Sequence, residues 1–301
     1  MAMKKGAKIA IIIISIVLVL AIAAGVCVFL FLKNEPANSE GKDRGFIGNI
    51  TSLFSKEKKE EEINVEFSYE NEDTFDFQAG NTSIAENFTQ VYIDWAYGDV
   101  IIESYDGDDY RIEEDGDDKL SDNEKLQWYK DGQTLYVNYR TSGKKTYKGK
   151  IDGKTLHFYV PNSRMSTSLL LDVWTVTADI SAKNLKIGDI DTVTDSGKST
   201  FRNMDVYTSS FESNTGEIDL ELVNYNNIDV ISKSGKITIY SPEDKGFCLE
   251  YDGVKEKLTS EFKFDPEIKS GGGVYIDEKM IIRLTNESGN TTVKKLSAKK
   301  K

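Results

Sequence analysis

Three stretches of the sequence decide the fold: Asp195–Phe201 (DSGKSTF), Asn214–Leu220 (NTGEIDL) and Lys233–Ile239 (KSGKITI). Their glycines follow one another at intervals of 19 residues. The segment Val176–Ala182 (VTADISA) carries the same pattern one interval earlier, with Ala in place of Gly. Self-similarity at a fixed period is typical of short structural units that stack on one another. If each strand pairs with its equivalent in the next unit, the stack is a parallel β-solenoid.

The columns of this repeat predict which side chains point inward. Because side chains alternate along a strand, Ile218 and Leu220 are expected in the core and Asp219 outside. The next unit repeats this arrangement with Thr238 at the outer position. Gly216 is expected at a corner that needs a positive φ. One column of hydroxyl side chains is expected to hydrogen-bond along the stack: Thr177, Ser196, Thr215 and Ser234.

The predicted fold class is all-β, a parallel β-solenoid or β-helix-like domain with rungs of about 19 residues, spaced about 4.8 Å apart. Outside the repeat, period-two alternation continues from Ile63 without a convincing helical stretch. Residues 126–139 predict a hairpin with its turn at Asp131-Gly132. A second hairpin is predicted around Gly153, with Leu156–Val160 as its second strand. The alternative is an antiparallel sandwich with evenly spaced hairpins.

The N-terminal region predicts a membrane anchor. Residues 9–32 carry no charge and are nearly all apolar, which is long enough for a helix to cross a bilayer. Lys4, Lys5 and Lys8 precede this segment, and such a bias favours a cytoplasmic N-terminus. Cleavage at an A-x-A pattern (residues 21–23) and lipidation at Cys27 are the alternatives. We therefore predict an uncleaved signal anchor with the remaining chain outside the cell.

These patterns predict four parts of the chain: a cytoplasmic N-terminus (1–8), a transmembrane anchor (9–32), a polar linker (33–62) and an extracellular β-solenoid domain (63–301). Within the linker, five apolar residues share one face of a short predicted helix: Phe46, Ile47, Ile50, Leu53 and Phe54. Such a helix could lie on the bilayer or pack against the domain.

Composition excludes several classes of protein. The chain has 301 residues, a net charge of −12, one His and two Cys. One His and two Cys cannot supply a Cys/His zinc site or a disulfide framework. The acidic balance also argues against nucleic-acid binding, which needs a basic face.

Three further features belong together: the lead-in 91–93 with Gly98–Ile102, the repeated Ser/Thr-Gly-x-Ile-x-Leu rungs, and the closing segment Ser270–Val274. On these features the chain resembles the bacterial putative adhesin domain family, a domain of unknown function seen in Lia-type membrane-anchored envelope proteins. The resemblance covers roughly residues 88–296. It implies a β-solenoid-like ectodomain and a role in the cell envelope, and it supplies no catalytic residues.

Two groups of carboxylates are candidates for cation binding. Ten of them lie between Asp106 and Glu124, where calcium ligands or solvated turns are both possible. Their spacing does not match an EF-hand, so solvated turns are the favoured interpretation. In the repeat, Asp172, Asp191 and Asp229 fall in one column, which could bind a cation or only face solvent.

Other chemical candidates have plainer interpretations. His157 lies in an alternating strand and is expected to be a strand residue rather than a general base. Cys248 is expected to be a small core residue. Five aromatic residues could form a glycan-stacking face, although core packing is the favoured interpretation: Trp95, Trp128, Tyr129, Trp174 and Tyr207. We therefore assign no catalytic, cofactor-binding or metal-binding residues.

The sequence as a whole predicts a non-catalytic, membrane-anchored, surface-exposed adhesin-like protein of a bacterial cell envelope. Its expected partners are the membrane and envelope polymers or another membrane protein, with no nucleic acid and no small-molecule substrate. One alternative is an accessory component of envelope-stress signalling. A cell-wall polysaccharide hydrolase is the third, because paired carboxylates can hydrolyse glycosidic bonds.

Overall fold

The computed structural model describes residues 49–52, 62–69, 75–148, 151, 153–264, 273–276 and 279–296. These described residues divide into two compact units, one with residues 49–52, 62–69, 75, 140–148 and 151, and the other with residues 76–139, 153–264, 273–276 and 279–296. Strands are numbered β1–β23 in chain order. The boundaries predicted from sequence remain predictions, because most of residues 1–61 lie outside the described part.

The smaller unit contains a three-stranded antiparallel sheet. Its central strand is β2 (Glu62–Phe67), flanked by β1 (Asn49–Ser52) and β10 (Gly143–Lys148). Val65 and Phe67 of β2 are buried, and the Arg140 guanidinium lies 5.3 Å from the centre of the Phe67 ring. The predicted amphipathic helix is wrong at Ile50, which lies in β1. The rest of that segment lies outside the described residues.

The larger unit is a 20-stranded sheet that curls into two layers of mainly parallel strands. The first layer follows this spatial order: β9 (Thr134–Asn138), β5 (Gln90–Trp95), β12 (Leu170–Thr175), β14 (Lys186–Thr194), the second half of β15 (Ser199–Ser213), β17 (Asn227–Ser232), β22 (Ile281–Asn286) and β19 (Phe247–Gly253). The second layer follows this one: β11 (Lys154–Pro161), β6 (Gly98–Tyr105), β13 (Asp179–Lys183), the first half of β15, β16 (Ile218–Asn224), β18 (Ile237–Pro242), β23 (Thr291–Leu296) and β20 (Leu258–Ser260).

Antiparallel strands finish both layers at one end of the stack but only the first layer at the other, where the second layer ends in the parallel strand β20. At one end β8 (Gln127–Asp131) pairs with β9 and β3 (Gln78–Ala79), while β7 (Tyr110–Glu114) pairs with β11 and β4 (Thr82–Ile84). At the other end β21 (Gly273–Tyr275) pairs with β19. The β8–β9 pairing confirms the first predicted hairpin. The second predicted hairpin is wrong, because β11 pairs in parallel with β6 and β10 belongs to the smaller unit.

The strand register confirms the repeat. Ile180 of β13 pairs with Ser199 of β15, Ser199 with Ile218, and Ile218 with Ile237, so each step along the stack is 19 residues. The next partner of Ile237 is Thr291, 54 residues further on, because an insertion forms β19, β20 and β21 before the rungs resume. The expected all-β, solenoid-like architecture is therefore confirmed.

The core lies between the two layers and consists of the inward side chains. Ile218 and Leu220 are buried as predicted, and the rings of Phe201 and Phe211 meet edge to face at 4.7 Å. Phe201 belongs to the second layer and Phe211 to the first, although both lie in β15, which passes through both layers. Thr238 shares the outward column of Asp219, as predicted, although it is only 6% exposed.

The glycine column has a different cause from the predicted one. None of Gly197, Gly216 and Gly235 adopts a left-handed φ. Instead, a Cβ on Gly216 would lie 1.9 Å from the carbonyl oxygen of Gly197, and a Cβ on Gly235 would lie 1.9 Å from that of Gly216. Gly289 repeats this contact on Gly235 at 2.0 Å. Glycine is needed here because successive rungs approach closely, so the prediction of a positive φ is wrong.

A second polar column, not recognised in the sequence, holds the corners. Three residues before the glycine, the Thr194 and Ser232 hydroxyls accept hydrogen bonds from the N–H groups of Gly197 and Gly235, at 3.0 and 2.9 Å. Asn286 Oδ1 accepts the equivalent bond from Gly289 at 2.8 Å. The predicted hydroxyl column bonds to the backbone of the preceding rung, as when Thr215 Oγ1 donates to the Asp195 carbonyl.

Within the part of the chain that the structure describes, no helix is long and apolar enough to cross a membrane. The predicted transmembrane segment, residues 9–32, lies outside that part.

Candidate binding face

The outward side of the first layer carries a group of neighbouring carboxylates. We call it the acidic face and define it by five outward side chains of the first layer: Asp172, Asp189, Asp191, Glu212 and Asp229. Because paired strands are in register, the outward side chains of the first layer lie in straight rows across the strands. The central row crosses the whole layer in this order: Tyr129, Tyr136, Tyr92, Asp172, Asp191, Ser210, Asp229, Arg283 and Glu250.

The aromatic end of this row is a stack of tyrosines. The rings of Tyr129 and Tyr136 are nearly parallel with centres 4.3 Å apart, and those of Tyr136 and Tyr92 lie 5.0 Å apart. Phe77 packs edge-on against Tyr129 at 4.5 Å. Because these rings cover one another's faces, they form a packed wall beside the carboxylates.

The carboxylates next to the stack lie close together. Asp172 and Asp191 are direct partners on β12 and β14, and Asp189 lies on the same side of β14, two residues earlier. Gln90 donates a hydrogen bond to Asp172 Oδ2 at 3.3 Å. The Ser210 N–H donates to Asp191 Oδ1 at 2.8 Å, and the Thr208 hydroxyl donates to Asp189 Oδ2 at 3.0 Å. Neutral donors therefore hold this group in place.

Burial and mutual repulsion make Asp189 and Asp191 weaker acids than an isolated aspartate. Burial, reinforced by the charge of Asp191, raises the pKa of Asp189 to about 7. Burial also raises the pKa of Asp191, against the hydrogen bond from Ser210, and Asp172 adds to the rise. The first positive charge along the central row is Arg283, beyond Ser210 and Asp229. Asp189 and Asp191 consequently hold protons more tightly than isolated carboxylates do.

Arg283 neutralises the far end of the acidic face. Its guanidinium lies 3.3 Å from Asp229 Oδ1 and 2.8 Å from Glu250 Oε2, and it also donates to Asn227. These two ion pairs separate the balanced end of the row from the unbalanced group around Asp191.

The outer side of the second layer has a different electrostatic character, because many of its charges are paired. Lys183 lies 2.9 Å from Glu103, and Arg202 lies 2.7 Å from Asp219. Asp219 points outward as predicted, but Arg202 binds both of its carboxylate oxygens. The predicted column Asp172, Asp191 and Asp229 is thus brought together, on the layer with fewer compensating cations.

The carboxylates between Asp106 and Glu124 do not converge on one site. Asp109 lies 3.5 Å from Arg164, and Asp122 lies 3.6 Å from Lys125. In the described segments, no group of three or more His, Cys, Asp or Glu side chains could hold a metal ion.

Glu114, from the same stretch, is fully buried, which the sequence did not indicate. Its Oε2 lies 2.6 Å from the Lys154 ammonium, and its Oε1 accepts the Leu126 N–H at 2.6 Å. The Lys154 ammonium lies 5.0 Å from the centre of the Trp95 ring and 4.6 Å from that of Tyr139. This ion pair joins β7, β11 and the loop before β8 inside the larger unit.

The remaining candidates are dispersed. His157 is a residue of β11, as predicted, with Nε2 3.5 Å from Asp115. Cys248 is half-buried and faces outward between the buried Phe247 and Leu249, so its predicted core position is wrong. Of the five aromatics, Trp95, Trp128 and Tyr129 are buried, while Tyr207 is 61% exposed, so they form no common face.

Comparisons with known proteins identify a family. A putative cell adhesion protein from Clostridium sporogenes is 9% identical, with a TM-score of 0.43, over 73% of this chain and 100% of its own. A putative adhesin from Bacteroides fragilis is 13% identical, with a TM-score of 0.38, over 74% and 98%. A putative lipid binding protein from Parabacteroides distasonis is 12% identical, with a TM-score of 0.30, over 74% and 98%. No curated protein matches the chain. The family model described as Toastrack DUF4097 matches residues 88–295, and the chain belongs to this family.

Proposed function

We propose that this chain is a non-catalytic, adhesin-like binding protein of a bacterial cell envelope, anchored by residues 9–32 with its β-solenoid outside the cell. The acidic face is the observation that carries the proposal. It presents carboxylates in regular rows along the outward side of the first layer, an arrangement suited to many weak contacts with an extended polymer rather than to one small molecule.

The charge of the chain suggests how this face engages its partner. Residues 33–301 contain all 50 acidic residues and 35 of the 38 basic ones. Such a surface repels anionic envelope polymers at low ionic strength. Divalent cations prefer carboxylate and phosphate oxygens, so they can bridge the acidic face to a teichoic-type polymer. We therefore propose cation-mediated binding of anionic envelope polymers.

Co-sedimentation of the full-length protein with purified cell walls tests this function. We expect binding to rise as calcium reaches the millimolar range and to fall when a chelator is added, because the bridging cation is removed. The double variant Asp172→Asn/Asp191→Asn should lose most of the calcium-dependent binding, since it removes the centre of the acidic face.

The control is Asp99→Asn/Asp179→Asn, which removes another directly paired set of carboxylates, on the second layer. This control should bind like the unchanged protein. Binding that is indifferent to the chelator, or equal losses in both double variants, would contradict the proposal. Release of soluble wall fragments during the assay would favour a hydrolase instead.

A further inference from the structure

The arrangement around Asp189 points to a proton-linked device. We infer that Asp189 holds a proton at neutral pH, so that the negative charge of the acidic face changes within the physiological pH range. The inference does not rest on the proposed function, because it concerns the charge of the face whatever the face binds.

The hydrogen bonding of Asp189 is the first observation that supports its protonation. Its Oδ1 is buried and has no hydrogen-bond partner among the described residues, whereas Oδ2 accepts one hydrogen bond from Thr208. A buried carboxylate usually needs several donors or a cation to remain ionised. With only the neutral hydroxyls of Thr208 and Ser209 to stabilise its charge, Asp189 lacks a cationic partner among the described residues.

The charged and polar groups that surround Asp189 are the second observation. On β12 it lies opposite Leu170, with Asp172 on the same side of that strand. On β15 it lies opposite Thr208, followed on that side by Ser210 and Glu212. On β14 itself the neighbouring outward residue is Asp191, and Lys186 at the start of the strand lies 3.7 Å from Asp205. The charged groups on the surrounding outward side are Asp94, Asp172, Asp191, Glu212 and Asp229, with Arg283 beyond Asp229.

This arrangement disfavours simultaneous ionisation of the three carboxyl groups. Asp172, Asp189 and Asp191 lie on two adjacent strands, and in the described part neither Asp189 nor Asp191 forms an ion pair. When carboxylates share a poorly solvated site, one of them takes up a proton. The pKa of Asp189, raised to about 7 by burial and by Asp191, agrees with the geometry.

Proton uptake by Asp189 determines whether the folded state becomes more or less stable as the pH rises. The folded protein retains a proton on Asp189 where the unfolded chain, with the ordinary aspartate pKa of 3.8, has lost it. Over that interval the folded state binds more protons, so stability falls as the pH rises from about 4 to about 7. Above this interval Asp189 is ionised in the folded state, and the whole destabilising contribution of its charge is present.

Thermal unfolding of the full-length protein at about pH 6 and about pH 8 tests the inference. We expect the melting temperature to fall between these values, and Asp189→Asn to reduce that fall by raising the melting temperature at the higher pH by several degrees. Asparagine is uncharged and its oxygen can still accept the Thr208 hydrogen bond.

Asp229→Asn is the matched control, because it removes one negative charge from the same face at a site paired with Arg283. It should keep the pH dependence of the unchanged protein. If Asp189→Asn also keeps that dependence, the inference is wrong. Should this variant fail to fold, ¹³C-carboxyl NMR of the unchanged protein decides: one aspartate must titrate near neutrality. Titration of every aspartate below about pH 5 would overturn the inference.

Discussion

At Gly216 the constraint on the residue comes from the neighbouring rung, because a Cβ there would lie 1.9 Å from the carbonyl oxygen of Gly197. Gly132 in the β8–β9 turn shows the opposite situation. Its φ is +57°, and a Cβ would meet nothing within 4 Å. One glycine is therefore required by close approach and the other by its own backbone conformation.

Alanine substitutions should separate these two requirements. We expect Gly132→Ala to cost about 1–2 kcal/mol, the usual price of a left-handed L-residue. Gly216→Ala should cost about 3 kcal/mol, the upper end of the usual range for overpacking, because rungs must separate to admit the methyl group. Urea unfolding of both variants measures the difference, and a Gly216→Ala variant as stable as Gly132→Ala would refute the close-approach explanation.

Adjacent residues of one rung should respond in opposite ways. Ile218→Asp places a carboxylate in the core and should cost several kcal/mol. Asp219→Ser removes a partly exposed ion pair with Arg202 and should cost about 1 kcal/mol or less. Thermal melts of both variants test this order, and equal losses would mean that the inward and outward positions are assigned wrongly.

Among the elements, β14 contains two buried threonines with different hydrogen bonding. Thr194 Oγ1 accepts the N–H of Gly197 at 3.0 Å and so holds the corner. Thr192 is also buried, but its hydroxyl has no hydrogen-bond partner in the described structure. The same substitution at both positions therefore has different consequences for the strand.

We expect Thr194→Val to cost about 1–3 kcal/mol, because it leaves a buried N–H without an acceptor. Thr192→Val should be neutral or stabilising, since valine has a similar shape and removes an unsatisfied hydroxyl. Chemical denaturation gives both values. A loss at Thr192 as large as that at Thr194 would show that the corner bond is unimportant.

The sequence predicted the rungs well because a strict 19-residue period leaves a visible trace in Gly216, Ile218 and Leu220. It did not reveal the buried Glu114–Lys154 ion pair, whose members lie 40 residues apart in acidic and basic surroundings. Nor did it show that Asp189 joins the Asp172–Asp191 pair. Burial of these groups depends on strands that are distant in sequence, and local periodicity carries no information about it.

For the whole molecule, the predicted topology can be tested directly. Protease added to spheroplasts should remove everything beyond residues 33–62 and leave a small N-terminal fragment, because Lys4, Lys5 and Lys8 favour a cytoplasmic N-terminus. Immunoblotting with an N-terminal tag measures the fragment. A mature N-terminus at Ala24 would show that the anchor is cleaved.

The ends of the stack have a consequence for how such a chain can change in evolution. In the described part the end strands β3, β4, β20 and β21 are each two or three residues long. Duplication or loss of a 19-residue rung in the middle leaves these ends untouched. The step from Ile237 to Thr291 shows that the interior also accepts a long insertion without losing register. The height of the domain is therefore adjustable in whole rungs, while the short end strands discourage copies from joining head to tail into fibres.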